Sequence, residues 1–396
     1  MVRSLRVSRF ALSRRAAVLG LGAAVLFGAP ALAQETIKVG LVAALSGQSA
    51  KSGEAITRGL EVAIDEINAA GGVLGKKIEL VRRDDESNPA KGVVAARELV
   101  QKEKVAAFFG GIDTPVSLAI VPFANQAKVP FIGVWAAGTG ITRNGAPENY
   151  VFRVSAVDEL VDEAMIDFGV KTYKTAKPGL MLINNPWGES NEKGLKAAAA
   201  AKGLTLAGAE KFDNADVDMV PQLTRLKEAG ADTIFLVANV QPAAQVVKSL
   251  DRMGWNVPVV SHWGPAGGRF TELGGPSAEK VQMVQTYTFS GNLSKKGQTV
   301  LAAIKTKYPQ VTTLADITPA VGIANAYDAM HLLALAIAKA GTTDGPELRK
   351  AFYEIGTYEG LIKTYSKPFS PTNQDALGKD DYIFTHFKGA EIVPVN

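Results

Sequence analysis

The sequence predicts an α/β protein made of two doubly wound lobes, each a mainly parallel sheet with helices on both faces. Three observations predict it. Short apolar runs alternate with helical apolar patterns about every 25–30 residues, the spacing of successive strand–helix units. These runs are too numerous for one sheet to absorb comfortably. The alternation also breaks near Tyr150–Ser155 and then resumes.

Ile37 to Val42 is the first strand. After the loop Ser46–Ser52, the apolar residues Ile56, Leu60, Ile64 and Ile67 recur at helical spacing until Gly71 and Gly72 end the helix. Ile78–Val81 is the second strand. Asn88 then caps a helix with Pro89 at its first position, running towards Lys102. Val105–Phe109 is the third strand, and Val129–Val134 the fourth. Between them Thr114-Pro115 opens a helix whose face is Val116, Ala119, Ile120, Phe123 and Ala127.

Beyond the break the strands are Leu180–Ile183, Leu204–Ala209, Thr233–Val237 and Val257–Val260. They alternate with helices at Asp158–Phe168, Glu189–Ala201, Met219–Ala229 and Ala243–Met253. The last third holds a strand near Val281–Phe289 and helices at Thr299–Lys307, Ala320–Ala340 and Leu348–Phe352. Terminal strands fall near Leu361–Tyr365 and Tyr382–Phe387. Periodicity alone does not assign these elements to a lobe.

The amino terminus reads as an export signal, residues 1–33. Arg3, Arg6, Arg9, Arg14 and Arg15 precede an apolar stretch from Ala16 to Gly28, and Ala31-Leu32-Ala33 is a small-x-small cleavage site. Pro30 and Gln34 interrupt the run before it reaches the length of a membrane span. The pair Arg14-Arg15 permits twin-arginine export, but without a strong surrounding consensus the Sec route is expected. Removing the segment takes five arginines and no acid, which leaves 38 basic against 39 acidic side chains. The formal +4 therefore belongs to the signal, and nothing supports a nucleic-acid partner.

Composition excludes several chemistries. With no cysteine there is no disulfide, thiolate nucleophile or cysteine-ligated metal. His262, His331 and His386 show no metal-binding spacing, so no metal and no cofactor is expected. The turn Ala44-Leu45-Ser46-Gly47-Gln48-Ser49 carries no phosphate-binding glycine pattern, and no nucleophile elbow or zinc-protease motif occurs. An exported, near-neutral protein without a catalytic constellation is expected to bind rather than transform its ligand.

Four segments carry a resemblance to a known family. The first is Ile37-Lys38-Val39-Gly40-Leu41 with Leu45-Ser46-Gly47 and Gly53-Glu54. The second runs from Gly59 to Gly75, followed by Asp84-Asp85 and Asn88-Pro89. The third is Gly110 with Thr114, then Val129-Pro130-Phe131-Ile132 and Phe152-Arg153; the last is Tyr327-Asp328-Ala329. In that order they resemble the branched-chain-amino-acid type of periplasmic solute-binding protein, the ligand-capturing subunit of ABC importers. The resemblance implies a type I periplasmic-binding-protein fold, two lobes joined by three hinge crossovers with a ligand in the cleft between them. Residues 34–154 and 285–362 would form lobe I, and 155–284 and 363–396 lobe II. It also implies a monomer that docks on ABC permease subunits in the inner membrane.

By the same resemblance, the ligand carboxylate meets a hydroxyl at the start of the helix after the third strand, here Thr114. An amide and a hydroxyl after the fourth strand complete the grip; Ala136 and Ala137 stand there, so the second hydroxyl is missing. Thr114 also fits a plain helix cap ahead of Pro115, and the two roles are compatible. Ser52 replaces the aromatic that covers the side-chain pocket, and Trp187 replaces a second-lobe tyrosine. The acid that pairs a ligand ammonium falls on Trp263, with His262 beside it, and Trp135 precedes the carboxylate-binding amides. Each of these tryptophans is open to a lobe-packing reading, as is Trp255 in a helix–strand turn. Asn239 fits either a ligand contact or a turn-forming role, and a capping role accounts for Asp158. Tyr327 and His331 read as packed neighbours on a helix, and His386 has no special reading. An ammonium buried without a partner is costly. The expected ligand is therefore a small aromatic carboxylate, with Trp187 and Trp263 against its ring. An aliphatic amino acid, its ammonium on Asp113 or Asp158, is the alternative, as is a sensor of the same fold.

Overall fold

The computed structural model describes residues 35–395, so the expected signal segment and its cleavage site lie outside the described residues. The first sheet contains β1 (Thr36–Ala43), β2 (Lys77–Asp84), β3 (Phe108–Gly110), β4 (Phe131–Gly133) and β5 (Val151–Arg153). Its order is β2-β1-β3-β4-β5, parallel throughout. Helices α1 (Ala50–Ala69), α2 (Pro89–Gln101), α3 (Thr114–Ala127) and the single turn α4 (Thr139–Thr142) connect the strands. All four apolar residues of the α1 pattern are buried. Asn88 caps α2 as its spacing predicts, its Oδ1 accepting the N–H groups of Ala90 and Lys91 at 2.9 and 3.1 Å. The break near Tyr150–Ser155 holds β5, which is too short to show a period.

The chain then enters a second sheet through α5 (Asp158–Tyr173), β6 (Pro178–Ile183), α6 (Pro186–Ala201) and β7 (Gly208–Phe212). It continues through α7 (Val220–Glu228), β8 (Thr233–Val237), α8 (Val240–Arg252), β9 (Val259–Ser261), α9 (Phe270–Gly274) and β10 (Gln282–Gln285). Three helices follow, α10 (Lys295–Lys307), α11 (Ala320–Ala340) and α12 (Gly345–Tyr353), and α11 packs on α1. Gly59 permits that approach: a Cβ there would stand 2.2 Å from the Ile323 carbonyl oxygen. A hairpin of β11 (Thr357–Glu359) and β12 (Thr364–Ser366) precedes β13 (Ile383–Lys388) and β14 (Glu391–Pro394). The second sheet has the order β14-β13-β10-β9-β8-β6-β7, parallel except for β13 and β14.

Three expectations shift. The apolar stretch Leu204–Ala209 is mostly a lead-in, and the edge strand is the more polar Gly208–Phe212. Only Gln282–Gln285 of Val281–Phe289 pairs; the rest crosses to the helices. The expected lobe boundary at 362/363 cuts the hairpin, which buried Asp328 of α11 holds as a unit. Asp328 accepts the amides of Leu361 (2.6 Å) and Ile362 (2.9 Å) and the Tyr365 hydroxyl (2.8 Å). Burial pushes its carboxyl up to about 6, with those hydrogen bonds pulling the other way.

The chain crosses between the sheets three times, at residues 154–157, 286–294 and 367–382. Arg153, wholly buried at the first crossover, donates from Nε to Asp375 Oδ1 in the third at 2.8 Å. Thr142 donates to the same carboxylate and accepts from Arg153. The Arg153 N–H donates to the Gln374 carbonyl (2.8 Å), the Ala376 N–H to the Arg153 carbonyl (2.9 Å) and the Val157 N–H to the Tyr382 hydroxyl (3.1 Å), so backbone bonds add to the ion pair between the two crossovers. Removing one partner of a buried pair leaves an uncompensated charge. Asp375→Ala is expected to cost about 3–5 kcal/mol in urea unfolding. A loss below about 1 kcal/mol would show that the pair does not hold the crossovers.

Candidate functional site

A cleft of about 680 Å³ lies at the carboxyl ends of the strands of both sheets. Thr114, Trp135, Ala136, Ala137, Trp187, Asn239 and Trp263 line it; His262 lies behind its wall. The first sheet contributes the loop before α1, the start of α3 and the loop after β4.

That last loop is held from behind by its carbonyls. The oxygens of residues 134 to 138 each accept a hydrogen bond from a group at or near a crossover. Asn325 Nδ2 donates to Val134 (3.1 Å), Ser155 Oγ to Trp135 (2.7 Å) and the Asp158 N–H to Ala137 (2.8 Å). One guanidinium nitrogen of Arg153 serves both Ala136 (3.4 Å) and Gly138 (2.9 Å). The Thr286 hydroxyl of the second crossover donates to Asn325 Oδ1.

The amides of the loop are less available than expected. The Ala136 N–H donates to the Gly111 carbonyl at 3.0 Å, so it cannot grip a ligand anion without losing that bond. The Ala137 N–H has no protein acceptor among the described residues. The cap position of α3 belongs to Asp113, not Thr114. Thr114 Oγ1 accepts the Gly138 N–H at 3.2 Å, which leaves its own proton to donate.

The second sheet contributes a run of rings. Trp187 meets His262 edge-on at 5.1 Å, His262 meets Trp263 edge-on at 5.4 Å, and Trp263 meets Trp135 of the first-sheet side at 5.5 Å. Trp263 is only 2% exposed, so it is a packed ring more than an open wall, and a two-tryptophan sandwich does not describe this geometry. Asp158 fixes the run from below. Its Oδ1 accepts both Trp187 Nε1–H at 3.2 Å and His262 Nε2–H at 3.1 Å. His262 Nδ1 accepts the Trp263 N–H at 2.8 Å, which puts the imidazole proton on Nε2. Asp158 makes no side-chain cap, so the capping account of it fails. Asp162, one turn on, is wholly buried; burial, then the charges of Asp158 and Glu159, holds its carboxyl well above the usual range.

The cleft also holds an acid, Asp113, one of the two that the sequence offered as an alternative partner for a ligand ammonium. Asp113 lines it beside Ser87 and opposite Asn239, and Oδ2 has no hydrogen-bond partner. Burial pushes its carboxyl up, while hydrogen bonds from Ser87 and Asn239 pull it down. Asn239 makes no cap for α8. Behind Asp113, buried Asp85 is pushed up to about 7 by burial, with the negative charges of Asp113 and Asp84 adding to it and the Ser87 amide opposing.

Residues 36–386 match the family described as periplasmic binding protein. The chain belongs to that family. It is of the branched-chain-amino-acid type: Leu/Ile/Val-binding protein homolog 3 of Brucella melitensis is 26% identical over 342 residues, 86% of this chain and 89% of the relative. The branched-chain amino acid transporter substrate binding protein LivJ of Streptococcus pneumoniae, in complex with isoleucine, is 25% identical. It superposes with a TM-score of 0.78 over 90% of this chain and 98% of its own. A solute binding protein of an ABC transporter from R. palustris, in complex with 4-hydroxybenzoate, is 24% identical with a TM-score of 0.77, over 91% and 96%. This periplasmic binding protein is thus a solute-binding protein of ABC transporters, a family that is not a class of enzymes.

Two consequences can be measured. Asp158→Ala strands two buried donors, Trp187 Nε1–H and His262 Nε2–H, and should lower stability by roughly 1–3 kcal/mol for each. Asp158→Asn keeps a carbonyl acceptor and should lose less in urea unfolding; equal losses would refute the shared-acceptor account. Native Asp85 keeps its proton to a higher pH than the ordinary 3.8 of the unfolded chain. The native state therefore binds more protons between about pH 4 and 7, and this group's contribution falls as pH rises through that window. Asp85→Asn should accordingly gain stability over wild type on going from pH 5 to pH 8 in thermal denaturation; a constant difference would contradict the raised carboxyl.

Proposed function

We propose that this periplasmic binding protein captures a small aromatic carboxylate for an ABC importer and presents it to the permease subunits of the inner membrane. The run of rings from Trp187 to Trp135, whose three tryptophans line the same cleft as Thr114 and Ala137, is the observation that carries the reading. Neutral donors suit a carboxylate here, since each hydrogen bond to a charged group contributes about 1.5–3 kcal/mol without a buried cation. The same fold holds 4-hydroxybenzoate in the R. palustris protein. Capture proceeds by closure of the two lobes about the crossovers, with Trp135 and Trp263 meeting across the cleft. The exported form is a monomer that begins at Gln34 after Sec export.

A branched-chain amino acid is the second reading, favoured by Asp113 in the cleft and by the Leu/Ile/Val-binding relative. Titration calorimetry with phenylpyruvate and 2-oxoisocaproate compares an aromatic with an aliphatic side chain on one keto-acid head. Tighter binding of phenylpyruvate is expected, and Trp263→Ala should weaken it by about 1–3 kcal/mol. Preference for 2-oxoisocaproate would sink the aromatic reading. Small-angle scattering should show a smaller radius of gyration with saturating ligand; tight binding without compaction would rule out the clamp.

A further inference from the structure

Asp113 occupies the start of a helix, where an aspartate ordinarily spends its carboxylate on the first free N–H groups. It makes no such cap. Its side chain turns instead towards Ser87, in the loop after β2, and Asn239, at the start of α8 on the far side of the cleft. Oδ2 is shut from water and has no hydrogen-bond partner. Glu86, another acid on the cleft lining, is exposed and pairs with Lys91 at 2.6 Å. Asp113 has no lysine, arginine or histidine among the groups acting on it. Asp85 behind it is buried and also keeps an unpartnered Oδ2, so a buried and a part-buried acid adjoin with no counter-cation between them. Local structure leaves this arrangement unexplained. Asp113 as a residue is part-exposed on the cleft lining, so the oxygen that a ligand hydrogen reaches is Oδ1, not the sealed Oδ2.

The geometry allows both ends of one ligand to be held. Thr114 points its oxygen at Gly138, in the loop after β4, whereas Asp113 faces the loop after β2. Those loops lie on opposite sides of β1 and β3 in the sheet order. We propose that Asp113 sets ligand specificity by accepting a hydrogen bond from a donor group, an ammonium or a phenolic hydroxyl, that the ligand carries in addition to its carboxylate. The inference rests on the proposed carboxylate grip at Thr114 and Ala137, and it does not require an aromatic body.

Three matched pairs test it by titration calorimetry at pH 7.5: 4-hydroxybenzoate with benzoate, phenylalanine with phenylpyruvate, and leucine with 2-oxoisocaproate. The wild-type protein should prefer the donor-bearing member of at least one pair by tenfold or more. Asp113→Asn, isosteric and neutral, should cut that preference below threefold while the donor-free member stays within threefold of its wild-type affinity. Asp113→Ser serves the same comparison if the asparagine variant does not fold. The first pair reports a hydroxyl and the other two an ammonium. Binding confined to the leucine pair overturns the aromatic reading, yet the same variant comparison still decides the role of Asp113. Equal weakening of both members, an unchanged preference, or wild-type preference for the donor-free member of every pair overturns the proposal. Absence of binding to all six overturns both readings.

Discussion

Five consecutive peptide oxygens, from Val134 to Gly138, face away from the cleft and into hydrogen bonds with residues at or beside the crossovers. The rest of the site follows from that constraint. With its carbonyls taken, the loop has side chains and amides left to offer the cleft. The partners come from β5, the first crossover, α5 and α11, so the loop is registered to both sheets at once. Arg153 dominates, because its fork of donors serves two carbonyls, a hydroxyl and a carboxylate in one buried cluster.

Electrostatically, the cleft lining carries exposed Lys51, Glu86 and Arg269, with part-buried Asp113 in the wall and buried Asp158 beneath the rings; the proposed anion grip uses neither sign but a hydroxyl and an amide. Asp158 is placed to accept hydrogens from two aromatic rings, whereas Asp113 Oδ2 accepts none. Low local dielectric strengthens such bonds and penalises any that are unmade.

Much of the fold was legible because it depends on local periodicity. The strand Thr233–Val237 and the helix Ala320–Ala340 have the bounds their apolar patterns predict. Where pairing rather than hydrophobicity decides, the sequence is a poorer guide. β5 and β14 are three and four residues long, too short to show alternation. β7 is an edge strand whose Glu210 and Lys211 hide it. The cleft tryptophans stand out by residue type, but Asp158 does not, because its partners Trp187 and His262 lie 29 and 104 residues away. Arg153 and Asp375 are separated by 222. The Ala136 amide was misread for a similar reason, since its acceptor is fixed by the neighbouring β3–α3 turn and not by its own segment.

Asp328 ties a hairpin to the longest helix of the described residues, and its place in the chain has an effect outside the folded state. Residues 320–340 match a membrane span in length and hydropathy. An unfolded chain threading through a translocation channel presents that segment before any tertiary contact exists to hide it. A single aspartate near the middle of such a helix adds about 2.5–3.5 kcal/mol against lateral partition into lipid. For a chain exported unfolded, the carboxylate that organises the hairpin would thus also oppose arrest of the segment in the bilayer.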